Sequence, residues 1–324
     1  MNLDNKVVLL SGGTGSFGQK FTEIALREYN PKRIRIYSRG ELLQFEMSKK
    51  FNHDPRLRFF IGDVRDKIRL NRAMTGVDII VHAAALKQVP TCEYNPIEAV
   101  KTNIDGAINI IDAAIDNGVE KTIAISSDKA AHPVNLYGAT KLVMEKLFIQ
   151  ANYYSGAQKN IFSCVRYGNV IGSRGSIVPL FLEQKEKGKI AITDERMTRF
   201  WITLEQGVRF VGDCIGRMDG GEVFIPKIPS MKITDISDVI APDTRREIIG
   251  IRPGEKVHEI LLTEEEAEHA KEYSNYFVVE PEHSFWKESN LQDAKLLPKG
   301  FTYTSDNNHW WLTKDELEKM VKGY

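Results

Sequence analysis

The stretch KVVLLSGGTGSFG, Lys6 to Gly18, decides the fold of this 324-residue chain. Val7 to Leu10 form an unbroken apolar run, the pattern of a strand covered on both faces rather than one. Glycines follow at 12, 15 and 18, and a helical pattern opens at once over residues 16–29. In a strand–turn–helix, Gly12 permits the tight turn, Gly15 lets a pyrophosphate approach the backbone, and Gly18 lets helix and strand pack closely. The first turn of the helix, with Thr14, Ser16 and Phe17 around it, offers N–H donors to phosphate. The spacing predicts a dinucleotide-binding loop.

Outward from this loop the same alternation repeats. RIRIYSR (33–39) reads as a second strand before a polar helix near 41–52; LRFFIGD (57–63) and VDIIVHAAA (77–85) are the third and fourth. A helix over about 97–117 leads to KTIAISS (121–127), a helix from Tyr137 to Tyr154 follows, and NIFSCVRYGNV (160–170) is the sixth strand. Continuous apolar strands alternating with helices predict an α/β fold, a doubly wound parallel sheet of the Rossmann type. After Gly172 the rhythm breaks, which predicts a smaller mixed α/β lobe for substrate. The expected division is 1–168 for the nucleotide domain, with about 195–228 returning to it, and 169–194 plus 229–324 for the second lobe. TEEEAEHAKEY (263–273) is expected to be a solvated helix face, and HWWL (309–312) to pack on the second lobe.

Lys plus Arg and Asp plus Glu number 44 each, so charge suggests neither nucleic acid nor an anionic membrane as partner. The apolar runs are too short to span a bilayer. Isolated Cys92, Cys164 and Cys214 predict neither a disulfide framework nor a metal site. With no signal peptide ahead of Val7, a reducing cytoplasm is expected.

Several residues carry candidate chemistry. Ser38-Arg39 ends the second strand and offers a hydroxyl and a guanidinium to a 2′-phosphate, which favours NADP over NAD. The other reading leaves Glu41 to hold an unphosphorylated ribose. Asp63-Val64 is expected beside adenine. Ala83-Ala84-Ala85 lets a cofactor lie against the backbone, and Lys87 is a ligand for cofactor or substrate, or simply solvated. Tyr137 and Lys141 stand at i and i+4 on one helical face. A lysine beside a phenol favours phenolate, which removes a hydroxyl proton as the carbon gives up hydride. Ser127 is placed to hydrogen-bond the same oxygen.

HAAALKQVP, EYNPIEAVKTN, SSDKAAHPVNLYGATK, RYGNVIGSRGS, TRFWITLEQ and IRPGEKVHE, with the glycine loop, resemble the extended short-chain dehydrogenase/reductases. More narrowly, they resemble soluble, inverting UDP-N-acetylglucosamine 4,6-dehydratases, the first enzymes of pseudaminic acid biosynthesis for flagellin glycosylation. The resemblance implies a lyase that oxidises C4, eliminates water across C5 and C6, and returns hydride to C6, giving UDP-2-acetamido-2,6-dideoxy-β-L-arabino-hex-4-ulose. It makes Asp128 the acid, with a raised pKa, and Lys129 the C5 base, with a pKa lowered so that the amine is neutral. It assigns substrate contacts to Asn169, Arg174, Thr198, Arg199, Arg252 and Glu255, and implies a homo-oligomer, a dimer or larger ring. Gly40-Glu41 departs from the family's Asp-Glu pair, and APDTRREIIG (241–250) is atypical. The alternatives are a retaining 4,6-dehydratase, an epimerase of a UDP-sugar, and a silent NADP-binding regulator.

Overall fold

The computed structural model of the protein describes residues 2–154, 160–172, 176–281 and 294–322. Strands β1 (Val7–Ser11), β2 (Arg33–Ser38), β3 (Leu57–Ile61), β4 (Ile79–His82), β5 (Lys121–Ile125) and β6 (Ile161–Val165) follow one another through the first half. Between them run helices α1 (Ser16–Glu28), α2 (Glu41–Lys50), α3 (Lys67–Met74), α4 (Val89–Tyr94), α5 (Pro96–Val100), α6 (Gly106–Asp116) and α7 (Leu136–Tyr154). The second half holds β7 (Asn169–Ile171), α8 (Ile177–Glu186), β8 (Lys189–Ile192), β9 (Thr198–Thr203), α9 (Leu204–Arg217), β10 (Val223–Pro226), β11 (Ser230–Lys232) and α10 (Ile233–Ile240). It closes with β12 (Arg245–Ile248), β13 (Ile260–Leu262), α11 (Glu264–Ala267), β14 (Ala270–Glu272), β15 (Tyr276–Val279), β16 (Lys295–Leu296), β17 (Tyr303–Thr304) and α12 (Lys314–Lys322).

The main sheet has ten strands in the order β16-β14-β15-β10-β6-β5-β4-β1-β2-β3. From β3 to β10 every pairing is parallel. Every residue of β1 is buried, as its apolar run requires. Val8 sits between Ile34 of β2 and Ile79 of β4. The chain winds one way from β1 to β3 and the other way from β4 onward. This reversal opens a crevice at the carboxyl ends of β1 and β4, where ligands of such sheets bind.

The structure departs from the sequence-based expectations in four places. The helix expected over 97–117 is divided by a π-helical turn at Lys101–Asp105. There the Asn103 side chain accepts from Leu86 N–H and donates to Leu86 C=O and Thr140 Oγ1, a set of bonds a regular helix would misplace. The sixth strand divides at Gly168, whose Cβ would lie 2.5 Å from that of Phe200; the chain leaves the main sheet there and β7 pairs with β9. The supposed solvated helix 263–273 ends at Ala267, and its Glu266 bonds the buried Arg166 at 2.7 Å.

The fourth departure concerns the lobe boundary. The sequence rhythm places residues 229–324 in the second lobe, yet β14, β15 and β16 extend the main sheet, β15 running antiparallel to β10. Tyr276 to Val279 are all buried, and so apolar a strand needs cover on both faces. In the returning segment α9 and β10 join the main body, whereas β9 lies in a three-stranded sheet with β7 and β11. The second core gathers Phe181, Ile192, Trp201, Met231, Ile236 and Leu312. Of HWWL, Leu312 enters that core, Trp311 donates its indole N–H to Asn308 C=O, and Trp310 is exposed.

Candidate active site

A cleft of about 590 Å³ runs from the glycine loop, across the ends of β1, β4 and β5, to β7. At one end Gly12 takes φ +67°, and a Cβ there would stand 2.9 Å from the backbone of Ala84. Gly18 is more constrained, its Cβ meeting Gly13 C=O at 2.3 Å. Ser11 Oγ accepts from Ala83 and Ala84 N–H and pairs with buried His82 at 2.7 Å, fixing the β1–β4 crossover. No side chain caps the amino end of α1, where Gly15 is the cap residue. Thr102 Oγ1 and Ser126 Oγ line the cleft, buried and without a hydrogen-bond partner among the described residues. An uncapped helix end, a glycine turn and orphaned hydroxyls fit a dinucleotide.

Thr14, Gly15, Ser16, Phe17, Ser38, Arg39, Asp63, Val64 and Ala83 to Ala85 all line this cleft. Gly18 lies outside it, serving the packing of α1 instead. Gln44 donates to Ser38 Oγ at 3.0 Å, which leaves that hydroxyl able to donate outward. The amino end of α2 opens beside it, capped only by Gly40. Gly40 and Leu43 line the cleft while Glu41 does not.

At the other end stand Ser127, Asp128, Lys129, Tyr137, Lys141, Lys87 and Asn169. A turn of 3₁₀ helix, Asp128–Ala130, with Ser127 Oγ accepting from Lys129 N–H, presents the acid and amine. Gly138 makes room for it, since a Cβ would strike Lys129 C=O at 2.1 Å. Asn135 caps α7 by accepting from Gly138 N–H, and its amide also donates to Gly254 C=O. The RPGEK loop is thereby tied to the start of the tyrosine helix. Burial raises the Asp128 carboxyl, Lys129 opposing and Glu259 adding to the rise.

Lys129 is the principal correction. The sequence reading has it neutral, its pKa lowered by burial or by Lys141. Instead its Nζ donates to Asp128 Oδ1 at 3.1 Å and to Glu259 Oε1 at 3.3 Å. Burial would lower its pKa, but the two carboxylates outweigh it and hold the ammonium above its ordinary range. Tyr137 is a second correction. Burial pushes its phenol up to about 12, opposed by Lys129 and by hydrogen bonding with Ser127. The cation that acts on it is Lys129, while Lys141 Nζ donates to Ile125 C=O at 2.7 Å and burial lowers its own pKa to about 8. Lys87 is likewise lowered, by burial and then by Lys129.

The residues assigned to the nucleotide divide. Thr198 and Arg199 are buried: Thr198 Oγ1 bonds His258 and Ser305, and Arg199 donates to the carbonyls of Lys256, Val257 and Thr198. Their groups are committed to the fold, because a buried guanidinium must bond whatever acceptors enclose it. Arg252 is half exposed, with Glu255 4.0 Å away. Arg174 lies outside the described residues. The sequence reading missed Glu259, Lys256 and Tyr167. Tyr167 and Gly168 line the cleft. Glu259 stands in the quoted IRPGEKVHE, but nothing local marks a glutamate there as buried.

Residues 8–281 match the polysaccharide biosynthesis protein family. A UDP-N-acetylglucosamine 4,6-dehydratase (inverting) of Campylobacter jejuni subsp. jejuni serotype O:2 is 51% identical, the match covering 98% of each chain. The X-ray structure of Pen from Bacillus thuringiensis superposes with TM-score 0.91 at 40% identity, covering 100% of this chain and 99% of that one. A dTDP-glucose 4,6-dehydratase from Streptomyces venezuelae shares the fold, with TM-score 0.69 at 21% identity over 78% of this chain and 86% of its own. Among the described residues no helix is long and apolar enough to cross a membrane.

Proposed function

The chain belongs to the polysaccharide biosynthesis protein family, within the extended short-chain dehydrogenase/reductases, and from that premise we propose that it is a UDP-N-acetylglucosamine 4,6-dehydratase inverting C5. The observation that carries the reading is the Asp128–Lys129 pair, 3.1 Å apart and lining the same cleft as Tyr137. Oxidation and reduction at C4 alone have no use for a second acid and amine; elimination of water needs both.

A nicotinamide dinucleotide would be held along the glycine loop by Gly12, Gly15, Ser38 and Arg39, and would supply the hydride acceptor and donor for the sugar. Tyr137 takes the C4 hydroxyl proton while Ser127 steadies the same oxygen. The C4 ketone acidifies the proton on C5. Lys129 becomes a base by passing its proton to Asp128 Oδ1, which leaves a neutral amine beside a carboxylic acid. The amine removes the C5 proton, Asp128 protonates the departing C6 hydroxyl, and Tyr137 returns the proton it took from C4 to the opposite face of C5 once hydride has reached C6. Asn169, Arg252 and Glu255 hold the nucleotide-sugar. In this reading the enzyme acts in the cytoplasm, its product enters pseudaminic acid synthesis for flagellin, and exposed Ile97 and Val100 supply surface for a homo-oligomer.

Proton NMR of the fresh product tests the reaction. Incubation with UDP-N-acetylglucosamine in heavy water should give an L-arabino-hexulose deuterated at C5. A stable D-xylo product would make the enzyme retaining, and an unchanged substrate would remove the reading altogether.

Ser38, Arg39 and the open end of α2 favour NADP. Arg39→Ala should weaken NADP by about 1.5–3 kcal/mol, the value of a charge-assisted contact, with NAD nearly unaffected. Titration calorimetry with both cofactors checks this; equal weakening would assign Arg39 to adenine or to the loop.

A further inference from the structure

Lys129 is held from two sides, and only one of its partners was legible beside it in the chain. Asp128 lies next to it in sequence, whereas Glu259 comes from 130 residues away, on the segment entering β13. Glu259 is 3% exposed, and its second oxygen, Oε2, has no hydrogen-bond partner among the described residues. The Asp128 Oδ2 oxygen is in the same condition. Two buried carboxylates thus face one ammonium. Burying a charge is costly unless it is paired, so a carboxylate at this place answers to the cation it faces.

The surroundings fix Glu259 rather than leave it mobile. Ser305 Oγ accepts from its backbone N–H at 2.9 Å, and Ser305 N–H donates to its carbonyl at 2.8 Å. Ser305 Oγ in turn bonds Thr198 Oγ1 at 2.6 Å. Arg199 Nε stands 3.6 Å from Oε1, on β9. We infer that Glu259 is a positioning residue: it aims the Lys129 amine into the cleft and governs how the proton is shared between Lys129 and Asp128. This rests on the dehydratase reading of the same site, and gives a function to the buried Thr198–Arg199–Ser305 brace that the substrate assignment left without one.

The titratable and charged groups around Glu259 are Asp128 and Lys129 from the 3₁₀ turn, Arg199 from β9 and Lys256 from its own segment, with His258 next to it in the chain and Asp306 4.0 Å from that imidazole. Burial would raise the Glu259 carboxyl, but Lys129 and then Arg199 outweigh it and hold it below its ordinary range. Removing its charge lowers the pKa of both neighbours: Asp128 loses a repelling anion and Lys129 an attracting one. The descending limb of the pH–rate profile, set by the proton that Lys129 and Asp128 share, then moves to lower pH, while the climbing limb of Tyr137 stays in place.

Glu259→Gln keeps the shape and removes the charge. The expected result is a turnover lowered about tenfold or more, KM for UDP-N-acetylglucosamine within about twofold of wild type, and a descending limb of the pH–rate profile displaced downward by ~1 pH unit. Wild-type KM and kcat with an undisplaced profile would overturn the inference. Glu259→Asp, which keeps the charge, should return the profile to its wild-type position at reduced turnover. If the glutamine variant does not fold by circular dichroism, the aspartate variant alone decides: wild-type turnover overturns the inference, a loss of about fivefold or more at unchanged KM supports it. A second readout needs no catalysis. Competitive acylation with acetic anhydride, read by mass spectrometry on the peptide carrying Lys129, should label the amine about tenfold faster in Glu259→Gln at a fixed alkaline pH. Equal labelling in both proteins overturns the inference, whereas a wild-type enzyme that converts no substrate yet shows the labelling difference removes the dehydratase reading alone.

Discussion

Tyr137→Phe should lower turnover of UDP-N-acetylglucosamine by at least ~10²-fold while leaving cofactor affinity nearly intact. The ring stays, so the packing beside Cys92 and Leu136 stays, and only the hydroxyl that meets C4 is lost. The pH dependence makes the test sharper. Burial holds the phenol at about 12, so at neutral pH the enzyme carries mostly the protonated form. Where ionisation of the phenol governs the rate, kcat/KM should climb with pH through neutrality, until loss of the proton that Lys129 and Asp128 share bends it down. In Tyr137→Phe the climbing limb should disappear. Near-normal activity in this variant, or an unchanged climbing limb, would mean that another group opens the reaction.

Lys129→Met should cost at least as much, at a different step. With Tyr137 intact, hydride leaves C4, and the reaction stalls for want of a base at C5. The reduced-nicotinamide absorbance and a 4-keto sugar still holding its C6 oxygen should then build up on the enzyme, with turnover down by ~10²–10⁴-fold. The substrate should fail to exchange its C5 hydrogen with heavy water. Rapid C5 exchange would take the base role from Lys129 and give it to Asp128 or Tyr137. The substitution also leaves Asp128 and Glu259 facing one another without their shared cation. Lone buried charges are destabilising, so the melting temperature should fall as well. That fall is a separate effect, and cofactor affinity measured on the variant shows that the cleft survives it.

The parts of this protein readable from sequence are those encoded by near neighbours. Val7 to Leu10 and the glycines that follow specify a buried strand, a turn and a helix start within a dozen residues, and five further strands of the same alternation specify the sheet. Tyr137 and Lys141 share a helical face because of a spacing of four, and Asp128 and Lys129 are adjacent. Tertiary structure decided what depends on long separations and on exclusion from water. The helix before β5 carries a π turn because Asn103 reaches Leu86 and Thr140. The strands β14 to β16 join the main sheet although short runs after a broken rhythm do not say which edge they meet. Arg199 reads as a phosphate ligand by type, yet it is enclosed by carbonyls. Above all, the charge of Lys129 depends on groups the local sequence does not bring together: burial alone lowers a lysine, and the carboxylates of Asp128 and then Glu259, the latter brought in by β13, outweigh it. Periodicity is a property of a segment, whereas the pKa of a buried group belongs to everything folded around it.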